Sequence, residues 1–162
     1  MSKAKNVSSG NKDGVEKRLK IFRERLQDLL NESSLSKGDF AGAASVSLPR
    51  VYAMLRGPSA PSLTNALKAA DFFRCPLDYL FGFREDFSER RYFVTASVTD
   101  RVREGIDESR LSRYEISRRT GIDQSDLYRW YHGQKIPELV SLLRLAEVLD
   151  VSLDFLAGRD LS

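Results

Sequence analysis

Cysteine is nearly absent from this chain of 162 residues. Cys75 stands alone, which excludes an internal disulfide and any zinc cage built on cysteine. His132 is the one histidine, so a two-histidine metal site is excluded and a histidine-centred triad has no clear Ser/Asp setting. There is no glycine-rich loop to cradle a nucleotide and no metal-ligand spacing, so an enzyme is not expected and no cofactor is implied. No apolar run approaches the roughly 18 residues of a membrane span. The opening Met1-Ser2-Lys3-Ala4-Lys5-Asn6 has no apolar h-region of a secretory signal. A cytoplasmic protein without a membrane partner is the expectation. An excess of one charge is lacking too: 26 Lys and Arg against 23 Asp and Glu leave +3. That sum argues only weakly for a polyanionic partner, because distribution counts for more. With 41% apolar and 30% charged residues the composition is globular, and the length allows one ordinary domain or two small ones.

What the chain does contain is a repeat. Shifted by 76 positions, Leu35-Ser36-Lys37 meets Leu111-Ser112-Arg113, Tyr52 meets Tyr128, Gly57 meets Gly133, and Pro61 meets Pro137. Leu77-Asp78 and Gly82 meet Leu153-Asp154 and Gly158. Residues 25–84 and 101–160 align without a gap, and 15 of those 60 pairs are identical. Chance would not keep glycines and apolar positions in register together, so two copies of one domain are expected. Their bounds are 15–82 and 92–162, with a disordered tail over 1–14 and a mixed-charge linker over 83–91.

Inside each copy the period is helical. Phe22, Leu26 and Leu30 form one stripe, and Val98, Val102 and Ile106 its counterpart. Ser36-x-x-Asp39 and Ser112-x-x-Glu115 read as helix starts, the second with the pattern of a capping box. Gly121 suits a left-handed helix end, and Ser45 at the same place suits it less well. Further helices are expected over Ser47–Arg56 and Asp123–His132, after Pro61 and Pro137, and from Pro76 and Ser152. Only Tyr92-Phe93-Val94-Thr95 reads as extended. Met54, Trp130 and Cys75 are expected in the core. Phe72, Phe73, Phe81, Phe83 and Phe87 crowd the end of the first copy, which leaves open an interface between copies or a dimer surface.

The series Leu-Ser-(Lys/Arg), two short helices around a tight turn, a glycine stop and a closing Leu-Asp-(Tyr/Phe)-Leu-x-Gly resembles the helix-turn-helix domain of the lambda-repressor/Cro (XRE-type) family. The resemblance spans both copies and is closer in the second. It implies an all-α fold of two tandem five-helix domains. It also implies a sequence-specific transcription regulator of double-stranded DNA, bacterial or phage-like, repressor first, nucleoid-associated when bound. Each second helix would enter the major groove while the first crosses the phosphate backbone.

Carried over residue by residue, the base-reading set of the second copy is Gln124, Ser125 and Arg129. Glutamine can bond adenine and arginine guanine, each through two hydrogen bonds. Asp123 is expected to spend its carboxylate as an N-cap, and Asp126 either accepts from cytosine or repels phosphate. The first copy carries Leu48, Pro49 and Ala53 there, with Arg50 beside them. That set can touch thymine methyls but makes few hydrogen bonds. Phosphate contacts fall to Lys37 and Arg113 at the helix starts, and to Arg56, His132 and Lys135 at the following turns. Tyr52 and Tyr128 either flank the groove or pack on a neighbour. Charge divides unevenly: residues 15–82 carry 10 basic and 7 acidic groups, residues 92–162 carry 10 and 12. The other reading is an interaction protein, an anti-repressor or anti-activator that grips a regulator through Leu48-Pro49-Ala53. A homodimer stays open alongside it.

Overall fold

Helix stops set the frame. A computed structural model describes the backbone over residues 2–161 and side chains over residues 14–161. Residues with left-handed backbone fall in pairs 76 apart: Ser34 with Arg110, Ser45 with Gly121, Gly57 with Gly133, Arg74 with Asp150, and Gly82 with Gly158. Each pair ends an element at the same place in its copy. The first copy runs α1 (Ser2–Glu32), α2 (Lys37–Ala44), α3 (Leu48–Arg56), α4 (Leu63–Phe73) and α5 (Leu77–Leu80). The second runs α6 (Val98–Ser109), α7 (Arg113–Thr120), α8 (Gln124–Tyr131), α9 (Leu139–Leu149) and α10 (Leu153–Leu156). Strand β1 (Tyr92–Val94) pairs with β2 (Arg159–Leu161). The fold is therefore all-α apart from this ribbon. Contacts gather into one unit of residues 18–92 with 161 and another of residues 93–160 with 2–17, so the division falls within α1.

The copies begin differently. Helix α6 starts under a cap, Ser97 Oγ accepting the Asp100 N–H at 3.1 Å. The matching point of α1 lies mid-helix, and α1 takes in residues 2–14 of the segment expected as a tail. Extension is cheap once a helix is nucleated, because nucleation carries the entropic cost. Phe22, Leu26 and Leu30 supply that anchor and are buried. Of the matching stripe only Val102 is fully buried, with Val98 and Ile106 half-buried.

The five phenylalanines find ring or cation partners inside the first copy. Phe81 stacks on Phe22 at 4.7 Å, and Phe72 and Phe73 pack on Phe40 at 5.4 and 5.6 Å. Phe87 meets Tyr79 edge-on at 5.4 Å, and the Arg18 guanidinium lies 3.8 Å over Phe83. The linker is held down as well. Arg25 Nη2 bonds Glu85 at 2.8 Å, and Arg90 N donates to Arg74 O at 2.8 Å.

One brace recurs. Arg25 lies over the Tyr79 ring at 4.4 Å and donates to its carbonyl; Arg101 lies over Phe155 at 4.5 Å and donates to its carbonyl at 3.4 Å. Arg25 and Arg101 are an aligned pair, so each copy ties its first helix to its last with the same residue. The second copy adds a buried ion pair, Arg159 to Asp154 at 2.7 Å. Gly158 is indispensable there: a Cβ would sit 2.0 Å from Ala96 O, where Thr95 N bonds Gly158 O at 2.8 Å.

Candidate nucleic-acid interface

The first of the two short central helices in each copy, α2 and α7, starts under a serine cap. Ser36 Oγ accepts from Asp39 N and Ser112 Oγ from Glu115 N, both at 3.0 Å. The Glu115 carboxylate does not serve a capping box. It binds Arg118 Nη2 at 3.0 Å and Arg119 Nε at 3.5 Å, and the Arg118 hydrogen bond holds its carboxyl below the ordinary value. The chain then turns through Ser45 or Gly121. In the second copy two hydroxyls brace the turn: Ser117 Oγ donates to Ile122 O at 2.6 Å, and Thr120 Oγ1 accepts from Ile122 N at 3.1 Å. Alanines 41 and 44 replace both in the first copy, where Lys68 Nζ donates to Ser45 O at 2.9 Å instead.

After the turn, α3 and α8 each bury one face and expose the other. Val51 and Met54 go inward in α3, and Leu127 and Trp130 in α8. Trp130 Nε1 has no hydrogen-bond partner among the described residues. Leu48, Pro49, Arg50 and Ala53 are exposed on α3, and Gln124, Ser125 and Arg129 on α8. Asp123 occupies the N-cap but makes no side-chain cap bond. Its carbonyl accepts from Leu127 N at 3.1 Å while its carboxylate stays exposed, contrary to the expected capping role.

The expected phosphate residues assemble around the aligned tyrosines. Lys37 Nζ stands 5.0 Å and the Arg56 guanidinium 5.2 Å from the Tyr52 ring centre. Arg113 stands 5.3 Å and the His132 ring 4.1 Å from that of Tyr128. A cation held on an aromatic face is positioned without being neutralised. Among the described residues none of Lys37, Arg50, Arg56 and Arg113 pairs with a carboxylate. Lys135 lies apart from this cluster. It shares Asp126 with Arg129, at 3.3 and 4.0 Å. The four cations Arg118, Arg119, Arg129 and Lys135 thus share two carboxylates, Glu115 and Asp126, which halves their net charge. Asp126 and the tyrosine clusters were the features that sequence reasoning left unassigned. The identity of Tyr52 and Tyr128 in the repeat was the signal for the clusters.

A helix-turn-helix family model matches residues 26–80 and, separately, residues 102–156, again 76 positions on. The chain belongs to the XRE-type helix-turn-helix family. No curated protein and no solved structure is similar enough to be a match. The family is one of DNA-binding regulators, and both helix-turn-helix domains carry its central helix pair, α2–α3 and α7–α8. No helix among the described residues is long and apolar enough to cross a membrane.

The second helix-turn-helix domain also has a small cleft of about 270 Å³ beside Arg113. Tyr128, Tyr131, His132 and Ile116 are among its lining. Tyr131 donates to Asp107 Oδ1 at 2.9 Å, and that bond together with burial raises its phenol above the ordinary value.

Proposed function

We propose that this chain is a sequence-specific transcription regulator of double-stranded DNA and that it represses by occupying its operator. Helices α3 and α8 are the reading helices, and Lys37, Arg56, Arg113, His132 and Lys135 contact phosphate. The observation that carries this is the recurrence of one tyrosine-centred cluster, Lys37–Tyr52–Arg56 and Arg113–Tyr128–His132, at the same place in both copies. Unneutralised cations at the start of α2 and α7 suit the backbone-crossing role of that helix. Two heads on one chain raise the effective concentration of the second once the first has bound.

Fluorescence anisotropy on a duplex selected from a random pool tests the reading. Lys37→Ala and Arg113→Ala are each expected to lower the slope of log affinity against log salt by about 1, with little change in sequence preference. Failure to bind any duplex at low salt would sink the proposal. A reporter placed behind the selected duplex tests the sign of regulation, with reduced expression expected.

A further inference from the structure

We infer that the two heads read half-sites of different sequence, the first marked by thymine methyl groups and the second by purine edges. The inference rests on the DNA-binding reading above. It starts from a contrast within one frame. The backbone-facing clusters repeat, whereas the reading faces do not: Leu48 stands where Gln124 stands, Pro49 where Ser125 does, Arg50 where Asp126 does, and Ala53 where Arg129 does.

Leu48 is the first residue of α3 and is 41% exposed, so a large part of an apolar side chain is left open to solvent. Ala53, Pro49 and the edge of Tyr52 extend the same exposed apolar face. The major groove offers one apolar group, the thymine C5 methyl. Pressed on any other base edge, this face would cover donors or acceptors without replacing their water, which costs binding energy. The face therefore selects against non-thymine bases as well as for thymine. Arg50, with no carboxylate partner among the described residues, supplies its one strong hydrogen-bonding group.

The second face works the other way. Gln124 matches adenine and Arg129 matches guanine. Asp126 holds Arg129 at 4.0 Å and Lys135 at 3.3 Å, so it limits how far both cations swing toward phosphate. Two-fold half-sites require two equal reading surfaces, and these two surfaces are unequal at every reading position named.

The test uses the full chain and the duplex it selects. Thymines are replaced by deoxyuridine one half-site at a time, which removes only the C5 methyl. Each contacted thymine in the first half-site is expected to weaken binding about fourfold when its methyl is lost. The same replacement in the other half should leave affinity unchanged. Leu48→Ala should cost a similar factor and reduce the sensitivity of the first half-site to uracil, while Gln124→Ala should relax preference only in the second half-site. Because the uracil arm needs no variant protein, it stands whatever Leu48→Ala does to folding. Tight binding to half-sites of the same sequence, or indifference of both halves to uracil, overturns the inference and leaves the DNA-binding reading standing. Absence of any selected duplex overturns that reading first, and the inference with it.

Discussion

In the first copy the core positions 40, 22 and 81 are phenylalanine, and 66 and 69 on α4 are alanine. In the second the same positions hold Ile116, Val98 and Ala157, and α9 carries Leu142 and Leu145 instead. Bulk lost at Val98, Ile116 and Ala157 is offset by bulk gained at Leu142 and Leu145. Cores tolerate such exchanges when total volume is kept. Two sequences with a quarter of their positions in common can therefore hold one backbone. The surface follows a different rule: cations that sit over tyrosine recur, and the exposed residues of α3 and α8 proposed to read bases do not. On the proposed DNA-binding reading, such a protein can change what it reads without disturbing how it stands on the backbone, because the two sets of residues occupy different places on the helix pair.

The largest expected break in this comparison lies at Arg159, whose counterpart is Phe83. Arg159→Ala strips buried Asp154 of its guanidinium and should cost the second copy about 3–5 kcal/mol. Trp130, the single tryptophan, reports that copy alone in a denaturant titration. An unchanged midpoint for its fluorescence would show that the pair is not what closes the domain. Next comes the exchange of bulk. Leu142→Ala should cost the second copy about 2–5 kcal/mol by opening a cavity, and Ala66→Leu should cost the first about 1–3 kcal/mol by overpacking. Stability gained from either would mean that the two cores do not compensate in the way described. At Ser45 the expected sign is opposite. Ser45→Gly relieves a left-handed serine where the second copy already has Gly121, and should stabilise the first copy by about 1 kcal/mol in calorimetry. Smallest is a pH effect at the ribbon. Hydrogen bonds from Arg101 and then Thr95 hold the Asp160 carboxyl below its ordinary value. A depressed carboxylate stabilises above its unfolded value, near about 4, and loses that contribution as pH falls through the lower folded value. The second copy should weaken below about pH 4, and Asp160→Asn should flatten that acid limb in a series of thermal melts.

Much of the fold was legible. The repeat and the helix order follow from spacing, because helical period and helix stops are local. The five left-handed stops at Ser34, Ser45, Arg74, Arg110 and Asp150 were harder to read, since only neighbours in space force such residues into that region. The phenylalanine group was legible as a cluster but not as part of the first copy, because its partners Phe22 and Phe40 lie on other helices. The candidate site divides in the same way. Gln124, Ser125 and Arg129 could be named from the family pattern. That Asp126 ties Arg129 to Lys135, and that Asp123 leaves its carboxylate exposed, depends on rotamers and on distances across a turn.

The order of residues along the chain decided which chemistry each copy carries: apolar at Leu48 and Ala53, hydrogen-bonding at Gln124 and Arg129, a cation at Lys37 and Arg113. Packing decided which of these groups meet. It set Lys37 of α2 on Tyr52, Arg113 of α7 on Tyr128, and Lys135 beyond α8 on Asp126, whereas Arg56, His132 and Arg129 already lie one turn from those partners. The reason is range. A helix relates residues three or four apart by its own geometry, whereas residues on different helices come within reach only once buried side chains have set the spacing between those helices.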